Sequence, residues 1–138
     1  MTLAESASRS DIVTDAKKKA LKQSTHDAFS FSYESLNPEQ KRAVDTIEGP
    51  VMVIAGPGTG KTQVLGVRVA NILKKTQARP SNILCLTFSN SGATAMRERL
   101  RSLIGPDAYA VNVQTVHSFC DSLIRKHAQV FSEFAAQV

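Results

Sequence analysis

Apolar residues come in blocks along this chain, and the sharpest block is Val51-Met52-Val53-Ile54-Ala55. Five apolar residues in a row predict a buried parallel strand, covered on both faces. Upstream, Asn37-Pro38-Glu39-Gln40 reads as a helix start: Asn37 is a good N-cap, Pro38 fits the first helical position, and Gln40 sits three past the cap. The short helix that follows carries Ala43, Val44 and Ile47 on one side, and Gly49-Pro50 stops it. Downstream, residues 60–74 hold Val64, Leu65, Val67, Val69, Ala70, Ile72 and Leu73. A helix apolar on most sides should be largely buried. A loop with Pro80 leads to a second buried strand, Asn82 to Phe88. Ala93, Met96, Leu100, Leu103 and Ile104 then form the clearest helical stripe, ended by Gly105-Pro106. Val111-Asn112-Val113 predicts a short third strand. Thr115 or Ser118 starts a last helix, with Phe119, Leu123, Val130, Phe131 and Phe134 on its apolar side. Helix, then strand–helix three times, predicts an α/β layered domain of parallel strands and crossover helices. Residues 1–35 are rich in Ser, Ala and charge and read as a mobile or loosely docked polar tail.

The stretch after the first strand, Gly56-Pro57-Gly58-Thr59-Gly60-Lys61-Thr62, adds chemistry to this pattern. Strand, glycine-rich turn and Lys-Thr opening a helix is the grammar of a phosphate-binding P-loop. Backbone N–H groups must wrap the phosphates, so side chains have to be small or absent, as at Gly56, Gly58 and Gly60. Lys61 would reach the β- and γ-phosphates, Thr62 would place its hydroxyl on Mg²⁺, and the helix would point its positive end at the anion. Ala55 stands where the pattern G-x-x-x-x-G-K-[ST] has its first glycine. The bland alternative is a Gly/Pro-rich turn without a ligand. Gln40 likewise fits two roles: a capping-box glutamine, or an amide on the edge of an adenine.

Charge sharpens the picture. The chain has 138 residues and a net charge of +5. Residues 1–35 balance five basic against five acidic residues, so the excess lies in residues 36–138, with twelve basic against seven acidic. A basic folded part suits a polyanion, although a merely solvated basic surface fits equally well. No apolar run approaches membrane-spanning length, and Thr2 to Asp11 lacks the pattern of a signal peptide. Cys85 and Cys120 have no metal-ligand spacing and are too few for a disulfide framework. Cys85, inside an apolar run, reads as a small core residue. A reducing cytoplasm is the expected compartment.

Four local signals occur in a fixed order: Leu36-Asn37-Pro38-Glu39-Gln40, the P-loop, Leu86-Thr87-Phe88-Ser89-Asn90, and Thr115-Val116-His117-Ser118-Phe119. Over about residues 35–128 the chain resembles the N-terminal part of UvrD/Rep-type superfamily 1 DNA helicases. The resemblance implies an incomplete RecA-like P-loop NTPase sheet of about three parallel strands with flanking helices. It implies ATP and Mg²⁺ as cofactors and single-stranded DNA as partner. Nucleotide contacts would come from Gln40, Ala55, Gly56, Pro57, Gly58, Thr59, Gly60, Lys61, Thr62 and Gln63, with Lys61 and Thr62 serving catalysis and Thr62 the metal. DNA contacts would come from Thr87, Phe88, Ser89, Asn90, Thr115, His117 and Ser118. Hydroxyls fix register on phosphates, and an aromatic at a strand end offers a base a stacking platform. Local roles fit too: Phe88 as core, Asn90 and Thr115 as helix caps, His117 as a structural histidine.

The chain departs from the family at several points. Ser89-Asn90-Ser91-Gly92-Ala93 replaces the usual Thr-Asn-Lys-Ala-Ala, so a lysine is lost, and Gln63 stands where many relatives carry arginine. The Asp-Glu pair that the family needs for Mg²⁺ and water activation is absent from the sequence. A second motor domain is absent as well. The expectation is therefore an N-terminal fragment that depends on the rest of a helicase, with an exposed apolar edge where further strands would lie. Two rivals stand beside it: a degenerate, non-catalytic DNA-binding module, and an unrelated P-loop enzyme such as a small-molecule kinase.

Overall fold

The structure, a computed structural model, describes residues 9–135. Its elements in chain order are α1 (Arg9–Glu34), α2 (Pro38–Asp45), α3 (Lys61–Lys75), β1 (Leu84–Thr87), α4 (Asn90–Ile104), β2 (Asn112–Thr115), α5 (Val116–Lys126) and α6 (Ala128–Ala135). Short 3₁₀ turns at Pro80–Asn82 and Gly105–Ala110 lead into the two strands. The chain is α/β, mostly helical, around one small sheet. β1 and β2 pair in parallel, with Leu84 opposite Asn112 and Thr87 opposite Thr115. The connection between them is α4, as a parallel pair requires.

Local signals form as their residues dictate. Asn37 caps α2 with its side chain on the Gln40 N–H, Gln40 returns its amide oxygen to the Asn37 N–H, and Pro38 takes the first turn. The stripe on α4 is the centre of the main core: Ala93, Met96 and Leu100 pack with Val69 of α3 and with Ala108, Val111 and Val113. Cys85 packs at the margin of this cluster, and burial pushes its thiol pKa up, which suits an inert core residue. A second cluster joins Leu36 and Val44 to Val64, Val67 and Ala70 of α3 and Leu103 of α4. Gly66 lets α3 and α4 come close, because a Cβ there would lie 2.6 Å from the Arg99 side chain.

The structure corrects three expectations. Residues 51–55 form neither a paired nor a buried strand; they run irregularly, with Met52 86% and Ile54 89% exposed. Burial of a parallel strand depends on neighbours on both edges, and no described strand pairs with this one. The sheet therefore has two strands rather than three. It is also open on one face, where Leu84 and Leu86 stand exposed. Lastly, the terminal helix breaks at His127 into α5 and α6, and no described residue of α5 is fully buried. Phe134 lies outside the described side chains.

Residues 9–34, read as part of a polar tail, are helical. The C-terminal end of α1 carries the aromatic contacts. Phe29 and Tyr33, four apart, stack with ring centroids 5.9 Å apart against the second core cluster. Lys74 lies over the Phe29 ring at 4.0 Å and Lys41 over the Tyr33 ring at 5.4 Å.

Candidate functional site

The glycine-rich loop is bent and ordered by its own hydrogen bonds. Gly58 and Gly60 take left-handed φ values of +72° and +79°, which other residues adopt only with strain. Thr59 Oγ1 donates to the Gly56 carbonyl at 2.8 Å. Lys61 Nζ folds back into the bend, 2.6 Å from the Gly56 carbonyl and 3.3 Å from that of Ala55. An anion arriving at this loop would compete for that ammonium. Behind the loop, α3 starts at Lys61 with Gly60 as its N-cap and no side chain on its first amides. Its free N–H groups and the positive end of its dipole face the loop, an arrangement suited to phosphate.

Gln40 closes one side of the loop. Its Nε2 donates to the Thr59 carbonyl at 3.1 Å, while its Oε1 serves the capping box. A carboxamide has two donor hydrogens and two acceptor sites, so one of each is left for a ligand edge. Both sequence readings of Gln40 are thus sterically compatible. A cleft of about 880 Å³ opens here, lined by Gln40, Ala43, Val51, Ile54, Gly56, Thr59, Lys61 and Leu65 among others. That volume falls within the range of small-molecule sites. Pro57 and Gly58 are exposed at the tip, and Thr62 is exposed on the first turn of α3. Thr62 offers Mg²⁺ a single hydroxyl, and no cluster of three His, Cys, Asp or Glu occurs among the described residues. Phosphate oxygens and water commonly supply the rest of a Mg²⁺ shell, so this donor set fits a nucleotide-borne ion. Gln63 turns away from the cleft, and its Nε2 donates to Ser35 Oγ at 3.1 Å.

The other candidate residues gather elsewhere, at the carboxyl ends of β1 and β2. Ligands of open parallel sheets bind at such ends. Thr87 and Thr115 are register partners. Phe88 follows Thr87 and is 86% exposed, so it is not core; its ring meets His117 edge-on with centroids 6.2 Å apart. His117 is exposed too. Ser89, rather than Asn90, caps α4, accepting the Gly92 N–H at 3.1 Å. Asn90 is exposed at the first helical position. Ser91 stays local with its hydroxyl 3.0 Å from that of Ser89. Thr115 caps α5: it is 7% exposed, takes the Ser118 N–H at 3.1 Å and lies 2.9 Å from the Ser118 hydroxyl. Thr87 donates to the Ser89 carbonyl at 2.9 Å.

Three contacts have no counterpart in the sequence reading. Arg68 donates to the carbonyls of Ala43 and Thr46 and so holds the C-terminal end of α2. Asn71, buried, donates to the Val44 carbonyl at 3.1 Å. Asp45 accepts from Tyr33 at 2.6 Å and from Lys75 at 3.1 Å, and the Tyr33 hydrogen bond above all holds its pKa below the usual carboxylate value. The available signal was polar residues, Arg68 and Asn71, on an otherwise apolar helix.

Residues 36–138 match the UvrD/REP helicase N-terminal domain family, and the chain belongs to that family. It is 48% identical over 91 residues to a protein named probable DNA helicase II homolog from Rickettsia conorii, covering 66% of this chain and 14% of that protein. It is 42% identical over 93 residues to the ATP-dependent DNA helicase PcrA of Staphylococcus aureus, covering 67% and 13%. Against PcrA of Bacillus subtilis it is 43% identical over 91 residues, covering 66% and 12%. The chain thus spans only 12–14% of the length of these relatives.

Proposed function

We propose that residues 36–138 are the N-terminal part of the ATP-binding domain of a DNA helicase that couples ATP hydrolysis to movement along single-stranded DNA and to strand separation. The observation that carries this reading is the uncapped start of α3 behind a loop with two left-handed glycines, with Gln40 bonded to that loop. Gln40 would take the adenine, residues 55–63 the phosphates, and Thr62 the Mg²⁺. ATP, when bound, supplies the phosphoanhydride whose cleavage drives the motor. Lys61 would exchange its loop carbonyls for phosphate oxygens. Phe88 and His117 would meet bases, with Thr87, Ser89, Asn90 and Ser118 on the backbone and Thr115 behind them.

The 138 residues by themselves would bind nucleotide and DNA weakly and turn nothing over, because no Asp-Glu pair occurs among them to hold Mg²⁺ and activate water; the proposed partners are single-stranded DNA and a second motor domain. The proposed compartment is the cytoplasm. No described helix is long and apolar enough to cross a membrane. The test is a thermal melt of the chain with and without Mg-ATP, beside a steady-state ATPase assay. Stabilisation by Mg-ATP supports the reading. A steady rate that disappears in Lys61→Ala would overturn the claim of no turnover. A second reading, a DNA-binding module without nucleotide, draws on the exposed Phe88–His117 pair. It expects salt-sensitive binding to single-stranded DNA and no change in melting with ATP.

A further inference from the structure

Helix α1 precedes the family-matched region, which begins at residue 36, yet its last turn and the residue that follows it are bonded to two elements of the proposed nucleotide site. Tyr33 Oη donates to Asp45 at the end of α2 at 2.6 Å. Glu34 pairs with Lys41 of α2 at 3.3 Å. Ser35 Oγ accepts from Gln63, on the first turn of α3, at 3.1 Å. α2 in turn carries Gln40, whose amide holds the Thr59 carbonyl of the loop. Only Ser35, Leu36 and Asn37 separate α1 from α2, and Leu36 is buried, so the joint has little slack.

We propose that Tyr33 and Ser35 are positioning residues that make α1 a brace for the nucleotide site: they hold α2 and the start of α3 so that Gln40 stays bonded to the loop and α3 keeps its open start behind it. The proposal rests on the reading of residues 55–63 as that site. The brace has a thermodynamic consequence. If docking of the α1 end favours nucleotide, nucleotide must favour docking of the α1 end by the same factor. A signal that loosens the N-terminal helix would then lower nucleotide affinity without touching the loop.

The experiment compares the parent chain, a Tyr33→Phe/Ser35→Ala double variant and Ser35→Thr, which keeps the hydroxyl. Amide hydrogen exchange is read without nucleotide, and Mg-ATP affinity by titration. In the double variant the amides of Gln40, Lys41 and Val64 should exchange about fivefold faster, with a similar loss of affinity. Met96 and Leu100 in α4 should be unchanged, and Ser35→Thr should match the parent. In the parent, Mg-ATP should slow exchange of the Ser35 and Leu36 amides, which are bonded to Phe31 and Tyr33 carbonyls. Unchanged exchange at residues 40, 41 and 64, or an acceleration spread evenly through α4, overturns the brace. If the parent binds no Mg-ATP, the nucleotide reading falls, and the exchange comparison still decides whether α1 braces α2 and α3.

Discussion

α3 follows the glycine-rich loop, α4 and α5 follow β1 and β2, and their first turns are built differently. α4 and α5 start with a hydroxyl side chain, Ser89 or Thr115, folded onto an amide of their own first turn. α3 starts with Gly60 and nothing on its amides. A capped start is less open to a ligand, because the capping oxygen sits over the first turn and already holds one of its amides. An uncapped start keeps both donors and dipole for an anion. The difference assigns unlike chemistry to similar positions in the chain. On the proposed reading the backbone would do the recognising at α3, whereas at α4 and α5 protruding side chains such as Phe88, Asn90 and His117 would do it.

The sharpest way to break this contrast is at Lys61. In the parent, Mg-ATP at a hundredfold over Kd should stabilise the chain by about 2.7 kcal/mol. Lys61→Ala should show no shift in the same melt, and an undiminished shift would mean that the open start of α3 is not where nucleotide binds. Gly60→Ala comes next. A new Cβ would have its nearest neighbour, Gln40 Nε2, at an ordinary 3.7 Å, so its cost is that of φ +79° for an L-residue, about 1–2 kcal/mol in urea unfolding. The capped starts should answer to the opposite change: Thr115→Ala and Ser89→Ala should each lose about 1 kcal/mol. Variants that unfold like the parent would remove the capped half of the contrast.

The smallest effect concerns pH. Asp45 has its pKa lowered in the folded chain, so its contribution is present above the ordinary carboxylate pKa and fades as pH falls through the lower folded value. The Tyr33 phenol is raised, mainly by its hydrogen bond to Asp45, so its contribution is present below the ordinary phenol pKa and fades as pH rises through the higher folded value. The Asp45 side chain is 40% exposed, which limits the acid effect to roughly 0.2–1 kcal/mol. Asp45→Asn should flatten the acid limb of a stability–pH curve, and an unchanged limb would show that the carboxylate contributes nothing.

Features decided within a few residues were legible in the sequence. The Asn37–Gln40 capping box, the α4 stripe and the glycine-rich turn each depend on neighbours three or four positions away. Features decided by distant partners were not. Val51–Ala55 has the composition of a central strand, but composition does not provide the strands that must flank it. Residues 1–35 read as a polar tail because their composition does not show what receives Phe29 and Tyr33: Lys41 and Asp45 on the next helix, and Lys74 much further along the chain. At the carboxyl ends of β1 and β2, the sequence offered Thr115 both as cap and as ligand contact. Its burial and its bond to Ser118 make it a cap, and that depended on how closely α5 follows β2.

The two long sides of the β1–β2 ribbon are not equivalent. Asn112 bonds back to Ile83, so the carbonyl of Val113 points outward, where the Arg97 guanidinium receives it. A strand arriving beside β2 must first evict that cation. Beside Leu84–Thr87 no described group stands guard. Any strand that joins this sheet therefore meets less competition beside β1 than beside β2.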